Sequence, residues 1–263
     1  MDWRLLMLVV GIGGVSVSPP LPTAHLQVPV EKPATVTSKQ QLQQLAKSIT
    51  VKVLSKGFLG SGILIEREDG VYTVLTNAHV LRSGESPYQI ETPDGQVHSA
   101  WVERRSIAAL KGNDLALLQF RTSKTYKIAS LGSASALKAG GEVFAAGFPF
   151  ESDTNRDRGF VFRQGQVTLV LDKALEGGYR IGYTNDIEKG MSGGPLVNLA
   201  GEVVAINGMH AEPLWGEPYV YQDGVEPSAP QKKQFSQYSW GIPVDTFEQL
   251  VPRSFRQKAS EVK

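Results

Sequence analysis

From Ile49 to Val244 the chain is a succession of short apolar runs cut by turn residues. Ile49–Leu54 alternates apolar and polar side chains. Gly60–Ile65 and Val71–Thr76 flank Glu66-Arg67-Glu68-Asp69-Gly70, a polar turn ending in glycine, and so read as a hairpin. Pro93-Asp94-Gly95 is a further turn. Leu115–Phe120, Glu142–Phe148, Val161–Val170, Tyr179–Thr184, Leu196–Asn198 and Glu202–Ile206 repeat the pattern, and Ser239–Val244 is the last run. Short strands at regular intervals with turn signals between them predict an all-β sandwich or barrel. The Gly/Ala/Ser-rich stretch Ser130–Gly141 marks a boundary, giving two units, 49–130 and 131–250, with a tail at 251–263. Within the linker 25–48, Leu42 and Leu45 at helical spacing predict a short amphipathic helix over Lys39–Ser48, and Asp245–Val251 reads as a short terminal helix. Ala211–Gln237, rich in Pro, Gly and aromatics, reads as a long loop.

Composition excludes several classes. Lys plus Arg number 27 and Asp plus Glu 26, a net charge of +1. A nucleic-acid binder normally carries a strong basic excess, so no nucleic-acid partner is expected. There is no cysteine among the 263 residues, which removes disulfide scaffolds, thiolate metal centres and thiol nucleophiles. His25 and His98 have no ligand cluster around them in the sequence, and neither a metal nor a cofactor is expected. At the start, Met1–Arg4 carries one Arg, Leu5–Val17 carries no charge, and Ser18-Pro19-Pro20-Leu21-Pro22 breaks any helix. Residues 1–24 therefore read as an export signal, placing the mature chain in a secreted or periplasmic setting. Leu5–Val17 is shorter than the roughly 20 residues a membrane-spanning helix needs, so no stable membrane insertion is expected after cleavage. An uncleaved anchor and a buried strand are the alternatives for this run.

Three segments carry candidate chemistry. His79 ends the strand-like run in Thr76-Asn77-Ala78-His79. Asp114 follows Asn113 and opens the apolar run from Leu115. Ser192 lies in Gly190-Met191-Ser192-Gly193-Gly194-Pro195. Each alone reads equally as a packing histidine, a capping aspartate and a tight turn. Together they fit nucleophilic acyl transfer. A serine hydroxyl needs an adjacent base, imidazole can take that proton near neutral pH, and a carboxylate fixes the imidazole tautomer. The N–H groups of Gly190 and Ser192 would form an oxyanion hole, and Gly193 and Gly194 would leave room for substrate and allow the turn.

The order His, Asp, Ser and the stretches GSG…LTNAHVL, NDLALL and GMSGGP resemble the chymotrypsin-like serine peptidases, in their bacterial trypsin-like branch related to the Deg-type proteases. The resemblance runs from about Ile49 to Leu250. It implies two six-stranded β-barrels with the active site between them, His79 and Asp114 coming from the first and Ser192 from the second. It also implies protein or peptide substrates. The residues after Val244 are too few for the PDZ domain of Deg proteases, so regulation by such a domain is not expected within this chain.

Two departures from the family bear on the site, and one match bears on specificity. Animal digestive relatives carry before the nucleophile an Asp that pairs with a new N-terminal amine on activation. Here that position is Met191, so the oxyanion loop has to be ordered otherwise. Where those relatives have a Ser bonded to the triad Asp, this chain aligns Ile206. Asp186 lies six residues before Ser192, the spacing at which trypsin carries its pocket carboxylate, which would favour cleavage after Arg or Lys; a simple turn role is the alternative. Ile206-Asn207-Gly208 would form the pocket wall, with His210 near the rim. Trp215, Tyr219, Tyr221 and Trp240 suit a substrate groove or core packing equally. The expected function is a serine endopeptidase, with a non-catalytic protein-binding module of the same fold as the alternative. An esterase on an α/β scaffold fits less well, because its His would have to follow the Ser, and the one later His is His210.

Overall fold

The computed structural model describes residues 38–56, 58–104, 106–151, 156–211 and 219–251. The export signal read at 1–24, His25, Trp215 and the tail after Val251 lie outside the described residues. The first half runs α1 (Lys39–Ile49), β1 (Thr50–Ser55), β2 (Phe58–Glu68), β3 (Val71–Thr76), α2 (Ala78–Ser83), β4 (Tyr88–Glu91), β5 (Val97–Val102), α3 (Ser106–Ala109) and β6 (Ala116–Arg121). The second runs β7 (Glu142–Gly147), β8 (Phe150–Glu151), β9 (Arg156–Asp157), β10 (Val161–Val170), β11 (Ile181–Tyr183), β12 (Pro195–Val197), β13 (Val203–Met209), α4 (Ala229–Phe235), β14 (Ser239–Pro243) and α5 (Val244–Leu250).

The strands close into two six-stranded antiparallel barrels, in the orders β1-β2-β3-β6-β5-β4 and β10-β11-β14-β13-β12-β7. Started from β7, the second order is first, second, third, sixth, fifth, fourth, the same winding as the first. No sequence repeat announces this.

Period-two side-chain alternation explains why the runs read as almost continuously apolar. Leu64, Val74 and Leu118 point into the first barrel with Tyr72 and Phe120. Val143, Ala145, Leu196 and Val204 point into the second with Tyr183. Their strand neighbours Ile63, Leu75 and Leu117 face the other way and meet Phe144, Val197 and Ile206 in a third core shared by both barrels. Strands buried on both faces carry no polar alternation.

Helix α1 starts at a capping box in which Ser38 and Gln41 bond reciprocally, and it buries Leu42, Ala46 and Ile49. Leu42 and Ile49 enter the shared core. The predicted loop over Ala211–Gln237 contains a helix, α4. Ser228 and Gln231 form its capping box, and Phe235 anchors it edge-on to Trp240 with ring centroids 5.1 Å apart. Trp240 and Tyr219 are fully buried in the shared core and so do not line a groove; Tyr221 packs beside them, partly buried. His98 stacks on Phe120. Among the described residues no helix is long and apolar enough to cross a membrane.

Removing the α1 anchor tests this arrangement. Leu42, 1% exposed, should cost about 2–5 kcal/mol when changed to Ala. Urea unfolding of Leu42→Ala should show a lower midpoint at unchanged slope; a midpoint equal to wild type would mean that α1 does not hold the shared core.

Candidate active site

Strand register brings the first two residues together. Thr76, the last residue of β3, pairs with Ala116, the first of β6. His79 lies three residues after one and Asp114 two before the other, so the antiparallel pair delivers both to one end of the barrel. His79 falls in the first turn of α2. The second barrel reaches across to fix Asp114: its N–H donates to the Gly177 carbonyl (2.8 Å), while the Asn77 side-chain amide donates to the Asp114 carbonyl (2.8 Å).

The Asp114 carboxylate is surrounded by donors. His79 Nδ1 lies 2.5 Å from Oδ2, and the His79 backbone N–H donates to Oδ1 at 2.8 Å. A carboxylate can only accept, so Nδ1 carries the proton and Nε2 is left as the base. The Tyr179 hydroxyl donates to Oδ2 at 2.5 Å, and an Arg82 guanidinium nitrogen sits 3.4 Å from Oδ1. Burial pushes the Asp114 carboxyl upward. The hydrogen bond and charge of His79, the Tyr179 hydroxyl and the His79 amide outweigh it, and the net shift is downward. Burial and then the neighbouring Asp114 push the Tyr179 phenol well above its ordinary value, so it stays protonated and remains a donor.

Tyr179 was not visible as a site residue in the sequence. Its role follows from the tertiary clasp: Gly177 and Gly178 turn the chain against Asn113 and Asp114, with an isolated bridge between Asn113 and Gly177. The signal was the Gly-Gly-Tyr tripeptide preceding a strand, which without the clasp reads as a turn.

Ser192 sits in a loop held from several sides. Met191 is fully buried in the core of the second barrel with Ile187, Tyr183 and Leu196. An apolar anchor thus stands where the resemblance would place an ion pair. The Glu188 carboxylate meets Arg158 at 2.5 Å and also Arg163. The Lys189 carbonyl accepts from the Phe150 N–H at 2.9 Å. Since C=O and N–H of a trans peptide point opposite ways, this bond aims the Gly190 N–H away from Phe150. Gly190 has φ +90°, and a Cβ there would lie 2.3 Å from the Phe148 carbonyl oxygen, so only glycine fits. Among the described residues, the N–H groups of Gly190 and Ser192 have no hydrogen-bond acceptor. The Ser192 hydroxyl donates to the Gly208 carbonyl at 3.3 Å.

Other expectations need correcting. Gly193 does not make room for substrate: a Cβ on it would lie 2.2 Å from the Ser61 carbonyl oxygen, so the space beside it is filled by β2. Ile206 and Asn207 do not form a pocket wall. Both are fully buried, and the Asn207 side chain is occupied by Tyr183, Ala146 and Pro195. Gly208, which receives the Ser192 hydroxyl and lies against Tyr179, is the first residue of β13 to touch the site. The β13–β14 register shifts between Asn207 and Met209, so that β13 bulges by one residue at Gly208. Gly208 rather than Ile206 lies against the Tyr179 hydroxyl that bonds the Asp114 carboxylate, and Tyr179 supplies the hydroxyl that a glycine cannot. Asp186 is not at a pocket base: its side chain is 77% exposed and lies 4.0 Å from Arg163. His210 is half-buried, its Nδ1 2.8 Å from the Ala211 carbonyl oxygen. Among the described residues no cluster of His, Asp and Glu has metal-binding geometry.

Residues 60–206 match the model of the trypsin-like peptidase domain. The Serine protease Do-like HtrA of Bacillus subtilis (strain 168) is 32% identical over 153 residues, which cover 57% of this chain and 33% of that protein. The mitochondrial serine protease HTRA2 of Drosophila erecta is 30% identical over 192 residues, 72% of this chain and 44% of that protein. The chain therefore spans less than half the length of these curated relatives. The crystal structure of the serine endoprotease from Yersinia pestis superposes with a TM-score of 0.58 at 21% identity, covering 86% of this chain and 68% of that one, and shares the fold.

Tyr179→Phe tests the donor set around Asp114. A carboxyl depressed in the folded state stabilises it above the unfolded value near 4, and that contribution is lost as pH falls through the folded value. Removing the phenol raises the folded value. The variant should therefore lose about 1.5–3 kcal/mol at pH 7 and progressively less as Asp114 protonates. Urea unfolding at a series of pH values from 7 down through the protonation of Asp114 measures both; a loss that stays constant across that range would mean that Tyr179 packs without supporting the charge.

Proposed function

Because the chain belongs to the trypsin-like peptidase family, we propose that it is a serine endopeptidase that hydrolyses peptide bonds of protein substrates through an acyl-enzyme. In this reading the Ser192 hydroxyl leaves the Gly208 carbonyl, gives its proton to His79 Nε2 and attacks the scissile carbonyl carbon. The imidazolium that forms is stabilised by Asp114, itself held by Tyr179 and by the His79 amide. The carbonyl oxygen, now negative, is received by the N–H groups of Gly190 and Ser192, a donor of this kind being worth about 3 kcal/mol of barrier. His79 then returns the proton to the leaving amine, and water repeats the sequence on the acyl-enzyme. The carrying observation is this pair of N–H groups without acceptors in a loop that also presents the nucleophile.

Cleavage after Arg or Lys has no support at Asp186, whose carboxylate is largely exposed and lies beside Arg163. Backbone pairing with substrate moves in this reading from Ile206–Gly208 to Gly208–His210. Export rests on the uncharged run Leu5–Val17.

A fluorophosphonate should label wild type at Ser192, as located by peptide mass spectrometry. Ser192→Ala and His79→Ala should each lower kcat by roughly 10⁶, with the double variant little worse, because the two act as a unit. No labelling of well-folded wild type would leave the protein-binding module as the better reading. In a peptide-library digest, Asp186→Ser should leave the cleavage sites unchanged; loss of Arg/Lys sites would restore the pocket role.

A further inference from the structure

The GSG motif around Ser61 belongs to the first barrel, yet its side chain serves a loop of the second. Ser61 lies in β2 opposite Lys52 and is fully buried. Its hydroxyl oxygen accepts from the Phe148 N–H at 2.9 Å and stands 2.7 Å from the Gly190 carbonyl oxygen. A backbone N–H only donates, so the hydroxyl cannot give its proton to Phe148, and the proton goes to Gly190. The direction of the bond is fixed by its surroundings. The Ser61 backbone N–H donates to the Ser192 carbonyl at 2.9 Å, and the Ser61 carbonyl accepts from the Thr76 hydroxyl at 2.7 Å. One residue thus holds both residues whose N–H groups face the reacting carbonyl.

Gly190 needs such a pin. With no Cβ and φ at +90°, it has little of its own to resist rotation of the peptides on either side. The peptide before it is held by the bond from Phe150 to the Lys189 carbonyl, and the peptide after it by Ser61. No charge at Met191 assists, because that side chain is an apolar anchor.

We infer that the Ser61 hydroxyl is a positioning residue for the oxyanion hole: it fixes the peptide after Gly190 as the Phe150 bond fixes the peptide before it, and the two together keep the Gly190 N–H aimed at the reacting oxygen. The inference rests on the endopeptidase reading above. An oxyanion donor acts on the transition state more than on bound substrate, so its misplacement lowers kcat and spares KM.

The test compares wild type, Ser61→Ala and Ser61→Cys. Ala has no donor, and Cys fills the same space with a weak one. In Ser61→Ala, kcat on a peptide found in the library digest should fall about 10- to 100-fold with KM within twofold, less than the roughly 10²–10³ lost when an oxyanion donor is removed outright. Fluorophosphonate labelling of Ser192 should slow by a similar factor. Affinity for a peptide aldehyde, whose adduct places an oxygen in the hole, should fall likewise. Ser61→Cys should lie between the two. Three outcomes overturn the inference: a folded Ser61→Ala with wild-type kcat, a loss carried by KM, or failure of both variants to fold, which would make Ser61 a structural residue. Wild type that neither cleaves nor labels would overturn the endopeptidase reading and this inference with it. Active wild type alongside an unaffected Ser61→Ala would overturn the inference alone.

Discussion

The shared apolar core between the barrels is the constraint on which the rest depends. Each barrel turns one face of β2, β3, β6, β7, β12 and β13 inward and the other toward its neighbour. Ile63, Leu75 and Leu117 meet Phe144, Val197 and Ile206 there. Burying two faces of each central strand raises the apolar area removed from water, at roughly 25 cal/mol per Å². It also fixes the distance between the barrel ends. The site inherits that distance, since His79 and Asp114 come from one barrel and Ser192 from the other. The Asp114 amide on the Gly177 carbonyl and the Ser61 amide on the Ser192 carbonyl are among the polar stitches across the same seam.

The Ser192 loop illustrates how one physical task can be met by different means. Its seat consists of a buried methionine, two arginines on Glu188, and carbonyls that accept from the Phe150 N–H and the Ser61 hydroxyl. The ion pairs are partly exposed and individually weak. The hydrogen bonds are short and join segments far apart in sequence, and leaving a buried partner unsatisfied is costly. The loop is therefore set by the folded core directly.

Much of this was legible in the sequence. Strand positions followed from short apolar runs between turns, because periodicity and turn chemistry are local properties. His79, Asp114 and Ser192 stood out because each sits in a distinctive segment at the end of a run. The misses share a different origin. Tyr179 acquires its role from a contact between segments 65 residues apart. Gly208 rather than Ile206 reaches the site, where β13 bulges against β14, and apolar spacing does not reveal a bulge. Asp186 has the right spacing but the wrong surroundings, being drawn to the surface beside Arg163. Helix α4 was hidden in a Pro/Gly-rich stretch because its stability comes from Phe235 docking on Trp240 and not from its own seven residues. The common winding of the barrels left no repeat, since closure requires apolar alternation and not particular side chains.

The buried position of Met191 has a chemical corollary. With no cysteine in the chain, thiol oxidation has no target here. The oxidisable atom of the nucleophile loop is the Met191 thioether, sealed at 0% exposure. Buried there, it presents no surface to dissolved peroxide. A sulfoxide at this position would place a polar group in the core of the second barrel. The packing that seats the loop thus also shields the one thioether next to Ser192 from oxidation.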